Sequence, residues 1–411
     1  MLRSLFPLAH ERYSSLPILG GVLEKLCGWL HSRGYPPDAI RRRVAGARLL
    51  EQSLRRRQVR SLCTCTASEL KSCLPRTKRW TAQLAYTLGR SLLKYLEECG
   101  GLASTPLSPT LQLVGVYQVH LKRVRGLASV TTQRYATLVT EFLQFLKYDN
   151  RPLALSQLQV CEIDAFLVQA GRRVGRVTMQ HVTARLRAFL RFLAAEGIAP
   201  TGLEAHVESP RRYRGERLPR ALAWDDVRSL LHAIDRSTAK GRRDYAMLLL
   251  IVTYGLRVSE VAGLELDDIA WRARRICVPR PKIGTPLLFP LTDEVATALL
   301  DYLRHGRPES THRPLFLLVR APRGPIQPSV VTDAFQTWAA YASIRLPRLA
   351  GPHCLRHSLA MHLLRQGTPL KTIGDLLGHR SPESTCVYLR LNIDDLREVA
   401  LPLPTAPEVP Q

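Results

Sequence analysis

Two stretches almost without large apolar side chains decide how this chain can fold. GGLASTPLSP at 100–109 and SPRRYRGERLPR at 209–220 concentrate Gly, Pro and Arg, which neither a helix interior nor a buried strand accommodates. They cut the 411 residues into segments that each suit one hydrophobic core. The reading is an N-terminal domain at 1–105, a middle domain at 110–208, a basic linker at 209–220, a third domain at 221–400 and a tail at 401–411.

Apolar residues in the middle segment recur at helical spacing: Leu138, Phe142, Phe145 and Leu146, then Ile163, Phe166 and Leu167, then Leu186, Phe189, Leu190 and Leu193. This predicts about four short helices. The first segment looks like a divergent copy of it. LLKYLEECG ending at Gly100 parallels FLRFLAAEG ending at Gly197, TASELKSCL from Thr66 parallels QVCEIDAFL from Gln159, and Gly34 parallels Gly126. Any two amphipathic helical bundles share some of this patterning, which stands as the alternative to duplication.

The third segment mixes periods. Helical stretches at 224–235 and 244–262 precede a hairpin signal, RICVP at 275–279 and PLLFPL at 286–291 around a turn at Pro281, Lys282, Ile283 and Gly284. Helices resume at 293–304, 330–342, 355–366 and 370–377, with Gly367 and Gly378 as C-terminal stops. Ser381 and Pro382 start one more helix, placing Tyr388 two turns in with Cys386, Val387 and Leu389 as core. The expected fold is mainly α with a small antiparallel sheet.

Lys and Arg number 59 against 34 Asp and Glu, a net charge of +25 that calls for a polyanionic partner. Nucleic acid is the first candidate and an anionic membrane surface the second. No stretch reaches the roughly 20 apolar residues of a membrane span. Charge at Glu11 and Arg12 interrupts any signal-peptide core, so a cytoplasmic location is expected. Nine Cys at irregular spacing read as reduced thiols. Cys63, Cys65 and Cys73 raise a metal site, but no His or second CxxC completes the set, and no metal or cofactor is expected.

One constellation carries chemistry. Thr253-Tyr-Gly-Leu-Arg257-Val-Ser-Glu260 is followed by Lys282 in the hairpin turn, His353-Cys-Leu-Arg356-His357, Leu377-Gly-His379, and Tyr388. A Tyr hydroxyl can attack a phosphodiester and conserve its bond energy as a phosphotyrosine. Two Arg can each fork onto the phosphate oxygens where negative charge gathers. His353 and Arg356 share a helix face, and Glu260 is spaced to brace Arg257. Asp267 and Asp268 do not face one way, which leaves no carboxylate pair for Mg²⁺.

In order and spacing these motifs resemble those of the tyrosine recombinase (phage integrase) family, and the middle segment resembles the family's core-binding domain. The resemblance spans about 113–400. It implies Arg257, Lys282, His353, Arg356, His379 and the nucleophile Tyr388 as catalytic residues. Lys282 would be the general acid for the leaving 5′-oxygen, His353 an aid to the tyrosine or the phosphate, and His379 a second hold on the phosphate. It also implies a C-terminal helix docked on a neighbouring protomer, hence a tetramer on double-stranded recombination sites, with partner recombinases a further option. Strand exchange in integration or transposition of a mobile element is the expected activity. Alternatives are a type IB topoisomerase-like nick-and-reseal enzyme and a DNA-binding architectural protein.

Each residue alone has a plainer reading. Arg257 can cap its helix, Lys282 and Gly284 can be turn residues, and Tyr388 can be packing. His353, His357 and His362 suggest zinc, but the Glu of HExxH is missing. Linker residues Arg211, Arg212, Arg214, Arg217 and Arg220 suit a segment crossing phosphates, or a solvated charge run. Arg41 to Arg43 and Arg55 to Arg57 make the N-terminal domain a second candidate for DNA contact.

Overall fold

The computed structural model describes residues 1–75, 80–103, 108–151, 153–211, 220–279, 286–347, 350–379 and 381–389. Lys282, the linker residues Arg212, Arg214 and Arg217, and the C-terminal segment from residue 390 lie outside them. Met1–Leu102 and Arg217–Gln411 form one compact unit, and Ala103–Glu216 forms another.

The N-terminal part is helical: α1 (Leu2–Leu5), α2 (His10–Ser14), α3 (Gly20–Ser32), α4 (Pro37–Val44), α5 (Ala47–Arg56), α6 (Ala67–Ser72) and α7 (Trp80–Cys99). The long α7 packs against α4, α5 and α6 and buries Leu88, Leu92 and Leu96. Cys65 and Cys73 lie in this core, where burial pushes the Cys65 thiol up to about 11. All nine cysteines are free thiols.

The second unit holds α8 (Pro109–Arg123), α9 (Ser129–Phe145), α10 (Val160–Gly171) and α11 (Arg176–Ala195) around a core with Tyr117, Phe142, Phe166 and Phe189 at its centre. Its helices repeat local features of the first part. Thr66 with Glu69 and Gln159 with Glu162 both form capping boxes, at α6 and α10. Gly100 after α7 and Gly197 after α11 both take positive φ, as do Gly34 and Gly126. Aligned on Gly100 and Gly197, Leu92, Leu93 and Leu96 match Phe189, Leu190 and Leu193, all buried. On the polar side, Gln83, Arg90 and Lys94 match Gln180, Arg187 and Arg191.

The third part runs α12 (Trp224–His232), α13 (Ala239–Tyr254), α14 (Val258–Ala262), β1 (Ile269–Ala270), β2 (Arg275–Val278), β3 (Leu287–Pro290), α15 (Asp293–His305), α16 (Pro328–Tyr341), α17 (His353–Arg365), α18 (Leu370–Leu377) and α19 (Glu383–Cys386). The strands form one antiparallel sheet in order β1-β2-β3, with Ile276 opposite Phe289 and both buried. Helix α13 is the hub, packed against α15, α16 and α17. Within it Asp244 is fully buried, its carboxylate accepting from Lys240 Nζ at 2.7 Å, Arg243 Nη2 at 2.7 Å and Trp338 Nε1 at 3.0 Å. Tyr254 Oη donates to the Pro290 carbonyl at 2.7 Å and accepts from Thr292 N at 3.2 Å, fixing the hairpin base to α13. Among the described residues no helix is long and apolar enough to cross a membrane.

Two sequence expectations change here. The helix read through 244–262 is two helices, broken at Gly255, whose φ of +65° lies in the left-handed region. A Cβ at Gly255 would stand 2.4 Å from Leu377 Cδ2, so backbone conformation and close packing both select Gly there. Tyr388 does not lie two turns into a helix. Helix α19 ends at Cys386, and Tyr388 sits just beyond it, buried against Leu359, Met361, Ile373 and Leu377, whereas Cys386 and Leu389 are exposed. Turn geometry after so short a helix sends the ring inward and its neighbours outward.

Candidate active site

The break at Gly255 determines where both arginines act. Arg257 becomes the N-cap residue of α14 in extended conformation, outside the helical ladder. Glu260 reaches back to it twice: Oε2 accepts from the Arg257 backbone N at 2.8 Å, and Oε1 accepts from Arg257 Nη1 at 2.7 Å. The pair is a salt bridge with the arginine 37% exposed and the glutamate 10% exposed, so one side of the guanidinium stays open to a ligand.

Arg356 is enclosed, 2% exposed, on the first turn of α17. Its Nη1 donates to the carbonyl of Gly255 and its Nη2 to the carbonyl of Leu377. Those carbonyls end α13 and α18, where helix C-termini leave acceptors unmet. One guanidinium thereby ties three helices together and is held rigidly. His353 opens the same helix. Its pKa is lowered by partial burial, then by the charges of Arg356 and Arg257.

His379 follows Gly378, which leaves α18 in left-handed conformation. Its backbone N donates to the Gly374 carbonyl at 2.9 Å, and its Nδ1 lies 2.8 Å from Thr385 Oγ1. The ring stacks near-parallel on Tyr388, with centroids 6.3 Å apart. Tyr388 is 1% exposed. Burial raises its hydroxyl pKa against the lowering effect of Arg356 and Arg257.

The fold thus brings Arg257, His353, Arg356, His379 and Tyr388 into one cluster. Lys282 falls in sequence between β2 and β3 and lies outside the described residues, and of the linker arginines Arg211 and Arg220 are described and exposed. One cluster member carried no role in the sequence reading: His357 Nδ1 lies 3.0 Å from Tyr388 Oη. The signal was present, since His357 falls one helical turn after His353 on the same face. The zinc alternative is not supported by the arrangement, because His362 stacks on Trp224 at 4.0 Å instead of joining His353 and His357. Among the described residues no three His, Cys, Asp or Glu side chains form a metal-holding group.

A helical domain followed by a mixed domain with this cationic cluster around a buried tyrosine defines a class of DNA strand-exchange fold. Residues 220–394 match the Phage integrase family model, and residues 115–197 match the model of the phage integrase N-terminal SAM-like domain. The Sinorhizobium fredii protein y4rA, named as an integrase/recombinase, is 38% identical over 294 residues, 71% of each chain. Tyrosine recombinase XerD of Mycobacterium tuberculosis is 32% identical over 308 residues, 70% of this chain and 96% of that one. Tyrosine recombinase XerC of Roseiflexus castenholzii is 33% identical over 305 residues, 71% and 92% of the two chains. Among solved structures, XerH bound to a palindromic difH substrate shares the fold at TM-score 0.53 and 18% identity, covering 75% of this chain and 87% of that one. The chain belongs to the tyrosine recombinase (phage integrase) family, and it is a site-specific DNA recombinase.

Proposed function

We propose that this recombinase cleaves and rejoins DNA through a covalent 3′-phosphotyrosyl link on Tyr388, in integration or transposition of a mobile element. The observation that carries the reading is the convergence of the tyrosine hydroxyl with two arginines and three histidines inside one small cluster. In this mechanism Tyr388 Oη attacks the scissile phosphorus, and Arg257 and Arg356 neutralise the charge that gathers on the non-bridging oxygens. The two helix-end carbonyls hold Arg356 in place before DNA arrives, so little reorganisation is needed during the reaction. His379 lies beside the tyrosine to hold the phosphate, His353 assists, and Lys282, between β2 and β3 in sequence, protonates the leaving 5′-oxygen. Five cationic or hydrogen-bonding side chains supply what a metal ion would supply in other phosphoryl transfers.

The partners are double-stranded recombination sites in the cytoplasm. The working unit is a tetramer on DNA whose C-terminal helices exchange between protomers, with partner recombinases able to join. The names of the XerC, XerD and y4rA relatives and the net charge of +25 support this assignment.

A nicked duplex that traps the cleaved strand tests the chemistry. Wild-type protein forms a denaturant-resistant protein–DNA adduct with EDTA present, and Tyr388→Phe binds the same DNA without forming it. An adduct on Tyr388→Phe, or strict need for Mg²⁺, refutes the mechanism. Recombinant joints between two duplex sites separate strand exchange from relaxation of a single plasmid.

A further inference from the structure

His357 is held against the nucleophile by the fold itself. Its Nδ1 is 3.0 Å from Tyr388 Oη, and the two rings meet edge to face with centroids 5.5 Å apart. The groups facing it are His353 and Arg356 on its own helix α17, His379 from the end of α18, and Tyr388 from beyond α19. Partial burial first, then the charges of His353, Arg356 and His379, pull its pKa down to about 4. The imidazole is therefore neutral at pH 7, and with its proton on Nε2 it presents a lone pair on Nδ1 to the phenol.

The phenol needs such an acceptor. Burial raises the Tyr388 pKa, so a free tyrosinate is scarce and proton loss must accompany attack. His353 meets His357 edge-on at 4.6 Å between ring centroids, and His379 spends its Nδ1 on Thr385. Among the described residues it is His357 that lies within hydrogen-bonding reach of the phenol oxygen.

We propose that His357 is the catalytic residue that accepts the proton of Tyr388. As the bond from Tyr388 Oη to phosphorus forms, the hydroxyl proton passes to His357 Nδ1, the bond from phosphorus to the 5′-oxygen breaks, and that oxygen takes a proton from Lys282. In rejoining, the 5′-hydroxyl attacks and loses its proton to Lys282, and the departing Tyr388 oxygen recovers its own from the His357 imidazolium. The imidazolium forms only while a phosphate sits beside it, and that anion offsets the cost of a cation among cations.

The proposal rests on Tyr388 as the nucleophile. Full-length protein on the nicked substrate tests it under single-turnover conditions, with DNA binding and thermal melting as controls. His357→Asn places an amide oxygen near the Nδ1 position, keeping a hydrogen-bond acceptor that cannot take a proton. His357→Ala removes the group altogether. Both are expected to slow adduct formation by about 10²–10⁴-fold with DNA binding unchanged. Added imidazole is expected to restore His357→Ala in proportion to its concentration, with more basic imidazoles restoring more. Wild-type cleavage should fall on the acid side as His357 becomes protonated, and His357→Asn should lack that limb. A wild-type rate in His357→Asn would show that positioning by a hydrogen bond suffices, and absence of imidazole rescue in folded His357→Ala would equally overturn the role. No adduct from wild-type protein would instead remove Tyr388 as nucleophile.

Discussion

Gly255 has no functional group, yet the positions of both arginines of the candidate site depend on it. Its left-handed conformation ends α13 and releases Arg257 into the N-cap of α14, and its carbonyl holds Arg356. Its missing side chain leaves room for Leu377, whose own carbonyl holds the other side of the same guanidinium. Gly255→Ala is expected to cost about 1–3 kcal/mol through strain and overpacking. It should also depress cleavage more than the stability loss explains, because both acceptors of Arg356 shift together. Urea titration and single-turnover cleavage on one preparation check this, and cleavage that merely tracks the folded fraction would confine Gly255 to a structural role. Nothing in the local spelling TYGLR reveals the contact with Leu377, which is distant in sequence.

Among the elements, α13 carries most of the catalytic part's order. Asp244 is buried at its first turns with Lys240, Arg243 and Trp338 gathered on one carboxylate, and Arg243 also donates to the Leu317 carbonyl at 3.3 Å. Removing the carboxylate leaves the 6%-exposed Arg243 buried without its counter-charge, whereas the 47%-exposed Lys240 keeps access to water. Asp244→Ala is expected to destabilise the fold by about 3–5 kcal/mol, read as a lower denaturant midpoint, though Asp244 is absent from the catalytic cluster. A change below about 1 kcal/mol would mean that water reaches Arg243 and relieves it. The strands are short and their order local: Ile276 and Phe289 bury one face, and Tyr254 pins the hairpin base.

On the scale of the whole molecule, the charge of +25 bears on the role of residues 1–105. The runs singled out from the sequence are partly engaged within the domain. Arg41 Nε donates to the Leu5 carbonyl at 2.9 Å, and Arg55 Nε donates to Glu51 at 3.1 Å. A different face stands out on α7, where Gln83, Tyr86, Thr87, Arg90, Ser91 and Lys94 line one groove with Arg33 and Arg43. Arg33 is tied to Glu98 and Arg43 lies over the Tyr35 ring, whereas Arg90 and Lys94 are exposed like charges one turn apart. Such a pair costs a few tenths of a kcal/mol, about 0.2–0.5, which a bound phosphate relieves. The same positions on α11 carry Arg187 and Arg191, of which Arg187 donates to the Val207 carbonyl at 3.0 Å. In the full chain, Arg90→Ala with Lys94→Ala is expected to flatten log K against log[salt] by about 0.9 per lost phosphate contact. An unchanged slope together with lost assembly of protomers would make the domain a protein-binding module.

The sequence by itself determined the mainly helical class, the hairpin, the glycine stops and the candidate side chains of the site. These are written in local periodicity, in conformations only Gly adopts freely, and in side-chain types that phosphoryl transfer requires. Gly367 and Gly378 end their helices where the pattern places them, and His353 and Arg356 share a turn because three residues make nearly one turn of helix. Tertiary structure alone decided which of these groups meet. Arg356 finds its acceptors at the ends of two other helices, Tyr388 turns inward because Leu359, Ile373 and Leu377 leave an apolar site for its ring, and His357 comes within 3.0 Å of the phenol only when α17 and the segment after α19 pack together. Contacts of that kind join residues whose sequence separation no periodicity spans, so they exist only once the chain has closed around its core.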